Sequence, residues 1–157
     1  MGCVRVCSPR VVFFDFGGVL AEEGFREGLM EIARKNALDP EKFFSLADET
    51  ILQVGYTLGR APESAFWQAL RERAGIGGSD AELREEILSR FVPRPWMFET
   101  VRRLAAGGVR CAVLSDQTDW LEELDRRHGG LFRHFERVFN SYRAGRSKRE
   151  AAFFLEA

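Results

Sequence analysis

The chain has 157 residues, 45% of them hydrophobic and 30% charged, enough to bury a core in an ordinary soluble globular domain. Its 23 basic and 24 acidic side chains give a formal net charge of −1, which argues against a nucleic-acid or membrane partner. No apolar run is long enough to span a bilayer, and Arg5 and Arg10 are not followed by the apolar core and cleavage pattern of an export signal. Of the three cysteines, Cys3 and Cys7 have no matching pair for a zinc site, and Cys111 sits in an apolar run as a small core residue. A reducing, cytoplasmic setting is expected.

The first element is the stretch Val11-Val12-Phe13-Phe14-Asp15-Phe16-Gly17-Gly18-Val19-Leu20. Four apolar residues in succession suit a strand of a parallel sheet, buried on both faces. The glycines mark a sharp turn after it, where backbone can approach a ligand. Asp15 is thus expected at the carboxyl end of a strand, where open α/β sheets bind ligands. A carboxylate there can be a turn residue or helix cap, or it can attack phosphorus and hold Mg²⁺.

From about residue 21 to 92 the pattern is helical. Phe25, Leu29, Ile32 and Ala33 share one helical face. Asp39-Pro40 opens a second helix that turns Phe43, Phe44, Ala47 and Ile51 inward. A third begins at Pro62 and carries Phe66, Trp67 and Leu70. Ser79-Asp80-Ala81-Glu82 has capping-box spacing ahead of Leu83, Ile87 and Leu88. The stretch reads as a small helical bundle inserted into an α/β unit.

The α/β pattern resumes at Pro95, which opens a helix with Phe98, Val101, Leu104 and Ala105 as its stripe. Gly107-Gly108 ends it. Val109 to Leu114 is the second strand, followed by Ser115-Asp116-Gln117. Thr118 or Asp119 caps a helix with Trp120, Leu121 and Leu124. Arg137–Asn140 is a third strand, Arg143–Arg149 a basic loop, and a last helix starts near Glu150. Such βαβαβ order predicts a parallel sheet with right-handed crossovers. It brings Asp15, Ser115 and Lys148 to one rim. Trp67, Trp96 and Trp120 are read as core, and His128 and His134 as isolated. Glu22, Glu23 and Phe25 could face the rim, although a solvated linker explains them as well.

Three of these segments together resemble the haloacid dehalogenase-like hydrolase superfamily, closest to its phosphatase-like branch. They are Phe14-Asp15-Phe16-Gly17-Gly18-Val19-Leu20, Val113-Leu114-Ser115-Asp116-Gln117, and Gly145-Arg146-Ser147-Lys148-Arg149-Glu150-Ala151-Ala152-Phe153. The resemblance implies a three-layer, Rossmann-like α/β core from residues 1–20 and 93–157, with residues 21–92 as a helical cap. It implies Asp15 as nucleophile, forming an aspartyl-phosphate, and as Mg²⁺ ligand together with the carbonyl of Gly17. Lys148 would screen Asp15 and stabilise transition-state charge. Gly18, Ser115, Asp116 and Lys148 would contact the phosphate of a small phosphorylated metabolite.

Two departures stand out. Position 17 is Gly where most relatives have a second Asp, the proton donor to the leaving group. The acidic pair expected after a further strand does not occur before Ala157. The core therefore reads as incomplete, from a fragment or a degenerate member, with weak Mg²⁺ binding and poor catalysis by these residues alone. The Val11 strand would then be an exposed sheet edge open to self-association. A metal-free 2-haloacid dehalogenase and a non-catalytic binding or assembly protein are the alternative readings.

Overall fold

In a computed structural model that describes residues 10–156, Val11–Phe14 forms strand β1. The expectations for Arg5, Cys3 and Cys7 fall outside the described residues. Strand β2 is Arg110–Ser115 and β3 is Arg137–Asn140. The sheet order is β1-β2-β3 with both pairings parallel, Val11 opposite Arg110 and Ser115 opposite Asn140. That register aligns the carboxyl ends of the strands, so the loops after Phe14, Ser115 and Asn140 emerge on one side.

Central β2 is buried from Cys111 to Ser115, as its apolar sequence predicts. Helix α5 (Pro95–Ala106) packs on it, bringing Phe98 and Val101 to the face of Phe14, Cys111 and Val113. Cys111 is buried, and burial pushes its thiol pKa up. Burial on both faces fails for β1, which pairs on one side only among the described residues. Phe13 is 38% exposed and leans on Phe139 across the sheet face, ring centroids 6.2 Å apart. Two further core assignments are corrected. Trp96, in the first turn of α5, is 62% exposed, and Ala105 on the same helix is exposed.

Between β1 and α5 lie four helices: α1 (Gly24–Lys35), α2 (Pro40–Val54), α3 (Glu63–Ala74) and α4 (Asp80–Leu88). Asp39 accepts from the Lys42 amide at 3.0 Å, and Ser79 and Glu82 form the reciprocal capping box. The apolar faces read from the sequence are the buried ones: Leu29, Ile32 and Ala33 on α1, Phe43, Ala47 and Ile51 on α2, Phe66, Trp67 and Leu70 on α3. Helix α1 packs on both α2 and α4.

This helical segment shares one apolar core with the sheet. Phe16, fully buried after β1, packs between Phe91 and Phe132. Polar fasteners add to it. Trp67 and Trp120 both donate their indole N–H to Glu63, at 2.7 and 3.2 Å. Ser141 Oγ donates to the Thr57 carbonyl at 2.7 Å. Tyr56, fully buried, donates to Asp119. Burial, then the Asp119 carboxylate, hold that phenol protonated far above its usual pKa. Asp119 therefore does not cap the helix that follows it, α6 (Trp120–Arg127); the Thr118 hydroxyl does, accepting from the Trp120 amide at 3.2 Å. Tyr56→Phe strands Asp119 without its donor. It is expected to lower unfolding free energy by about 1–3 kcal/mol in urea titration. An unchanged midpoint would mean the bond contributes nothing net.

Candidate active site

Asp15 leaves the end of β1 with both carboxylate oxygens engaged. Oδ1 accepts from its neighbour's amide, Phe16 N, at 2.8 Å and from Ser115 Oγ at 3.2 Å. Oδ2 is ion-paired with Lys148 Nζ. The Asp15 side chain remains 42% exposed and Lys148 25%, so the pair is open to an incoming molecule. The turn behind it is firm: the Phe16 carbonyl accepts from Leu20 N at 2.9 Å and Ala21 N at 3.0 Å.

Ser115 is 2% exposed and ends β2 beside Asn140 of β3. Lys148 reaches Asp15 because Asp116 holds its loop. Both Asp116 oxygens accept from the Lys148 backbone N–H, at 2.9 and 3.2 Å. Asp116 thus serves the loop, not the following helix start. Burial raises its pKa, and the negative charge of Asp15 adds to that, against the Lys148 amide, which lowers it. The basic stretch is only partly loop, since Ser141–Ala144 makes a helical turn, α7.

The two glycines differ. Gly17 lines the cavity in front of Asp15. Gly18 turns with φ 73° and gives its carbonyl to Arg94, which also binds Glu22 in a two-pronged ion pair. Glu22 is therefore committed away from the rim, while Glu23 and Phe25 line it.

The cavity measures about 440 Å³. Asp15, Ser115, Asp116, Ser147 and Arg149 form one end; Asp48, Ile51, Leu52, Thr57 and Leu58 come from the helical segment. Sequence reasoning missed Asp48, Thr57 and Arg149 as lining groups. Asp48 carries a faint signal, a charge set beside the apolar stripe of α2. Thr57 carries none, because its 3₁₀ turn (Tyr56–Leu58) has no pattern of its own. His128 is exposed, and His134 accepts from Arg133. Among the described residues no three His, Cys, Asp or Glu side chains converge as a metal cluster.

No protein-family model and no curated protein matches the chain. Solved structures do. A haloacid dehalogenase (HAD) family enzyme from Bacteroides thetaiotaomicron superposes with TM-score 0.70 at 23% identity, covering 94% of this chain and 75% of that one. The same enzyme, in complex with magnesium and inorganic phosphate, gives TM-score 0.69 at 18% identity over 95% and 77%. L-2-haloacid dehalogenase from Xanthobacter autotrophicus, with chloropropionic acid covalently bound, gives 0.64 at 18% identity over 95% and 63%.

The chain has the HAD-like fold.

The HAD-like fold accounts for the parallel sheet. Enzymes of both chemistries, phosphate-binding and dehalogenating, share it at these identities.

Proposed function

We propose that this HAD-like chain is a phosphoester hydrolase in which Asp15 is the nucleophile. The observation that carries this reading is the placement of Asp15 against Lys148 and Ser115 at the cavity mouth, with Arg149 on the same wall. A carboxylate repels a phosphate dianion unless cations offset both charges. Lys148 offsets Asp15, and Arg149 and the Ser115 hydroxyl receive the phosphoryl oxygens. Asp15 then attacks phosphorus, the alcohol leaves, and water releases phosphate from the aspartyl-phosphate. Residues 21–92 act as a cap over a core of residues 1–20 and 93–157. A cavity of about 440 Å³ supports a small phosphorylated metabolite as substrate.

The donor set fits Mg²⁺. Asp15 and Asp116 both line the cavity and offer carboxylate oxygens, the donors Mg²⁺ prefers. Asp15, Asp116 and the Gly17 carbonyl would hold the ion, which keeps several waters and takes phosphate oxygens. Bound there, Mg²⁺ would neutralise phosphate charge. With so few protein ligands, Mg²⁺ alone is expected to bind weakly, and more tightly with inorganic phosphate present. Calorimetric titration with and without phosphate checks this. Tight binding of Mg²⁺ alone, surviving Asp15→Asn, would contradict the assignment.

A second reading, 2-haloacid dehalogenation, gains from Gly17. Halide departs without a proton, so a side chain at position 17 is dispensable there. Turnover of an aryl phosphate that stops with a chelator supports the phosphatase. Metal-independent halide release from 2-chloropropionate supports the dehalogenase.

A further inference from the structure

Phosphoester cleavage leaves an alkoxide that needs a proton, and Gly17 has no side chain to give one. We propose that Glu23 supplies that proton from the neighbouring helix start; the inference rests on the phosphatase reading above. The Glu23 carboxylate lies where a side chain on Gly17 would extend. A Cβ built on Gly17 would sit 3.6 and 3.7 Å from its two oxygens. At Gly18 the fit is closer still, with a Cβ falling 2.4 Å from Oε1. The double glycine thus opens a gap that the Glu23 carboxylate fills.

The second observation is what Glu23 does not do. It occupies the N-cap position of α1 but makes no capping bond to the first turn, so its carboxylate is not held there. Its carboxylate turns instead toward the glycines and lines the cavity with Asp15 and Ser115. Asp116 on the same wall has both oxygens committed to the Lys148 amide. Glu22, its chain neighbour, is committed to Arg94. Arg94 also lies within electrostatic reach of Glu23.

An Asp15 oxygen forms the bond to phosphorus, the ester P–O bond breaks toward the leaving oxygen, and Glu23 gives that oxygen its proton. In the second half Glu23, now a carboxylate, takes a proton from water as the water oxygen bonds to phosphorus. The aspartyl P–O bond breaks, releasing inorganic phosphate and restoring both side chains.

The test compares phenyl phosphate with 4-nitrophenyl phosphate in the full chain. Nitrophenolate is stable enough to leave unprotonated, whereas phenolate gains from a proton. Glu23→Gln is expected to lower kcat/KM for phenyl phosphate by about 10²-fold or more. The 4-nitrophenyl ester should lose less than about tenfold, because kcat/KM reports only steps through departure of the alcohol. Gly17→Asp combined with Glu23→Ala, which empties the gap, restores a carboxylate to the same space and should recover the phenyl ester selectively. Equal losses for both esters, or none, would overturn the proposal while leaving Asp15 as nucleophile. If the parent hydrolyses neither ester, the phosphatase reading fails and this inference fails with it.

Discussion

Asp15→Asn is expected to remove turnover, lowering kcat by about 10⁴-fold or more. An amide oxygen is a poor nucleophile toward phosphorus, and no other side chain ends β1. The replacement keeps the shape and still accepts from Phe16 N and Ser115 Oγ, so the turn survives. What it loses is the ion pair to Lys148, and with side chains 42% and 25% exposed that pair holds little folding energy, about 1 kcal/mol or less. The variant should therefore melt close to the parent while being inactive. A variant that turned over at the parent rate would remove Asp15 from the chemistry.

The second large effect concerns packing. Gly28 lies where α1 crosses α4, and a Cβ there would come within 2.5 Å of the Ile87 Cα and 2.7 Å of its Cγ1. Backbone cannot yield as a side-chain tip can, so any side chain must push the two helices apart. Gly28→Leu is expected to cost about 3 kcal/mol or more in urea unfolding, overwhelming the roughly 1 kcal/mol that leaving glycine gains within a helix. Because α1 starts at Gly24, directly after Glu23, the same displacement should reduce activity. Parent-like stability would mean that α1 and α4 are not held at this distance.

Much of the fold was legible because its signals are local. The run Val11–Phe14 followed by Asp15 and two glycines spells a strand and a turn. Ser79 and Glu82 declare a helix start, and Pro95 and Gly107 bracket α5. Ser115 and Lys148 could be placed beside Asp15 because parallel strands send their exits to one side. Long-range polar pairings were not legible. Nothing near Asp116 announces that it holds a loop at Lys148, 32 residues away. Nothing near Asp119 announces Tyr56, 63 residues earlier, so the choice between Thr118 and Asp119 as cap stayed open until the structure showed one of them spent elsewhere. Trp96 misled because an apolar side chain is not thereby a buried one. Glu23 was visible only as a polar residue near the rim. That its carboxylate sits over Gly17 depends on the angle at which α1 leaves the turn, which no sequence pattern encodes.

The central claim is that Asp15 becomes covalently phosphorylated. It is tested most directly by mixing the protein with an aryl phosphate and Mg²⁺, quenching in acid during turnover, and mapping the adduct by peptide mass spectrometry. The account predicts one phosphoryl group on the peptide spanning Val11 to Leu20, assigned to Asp15, absent from Asp15→Asn. Steady turnover with no adduct, or an adduct on Ser115 instead, would contradict it.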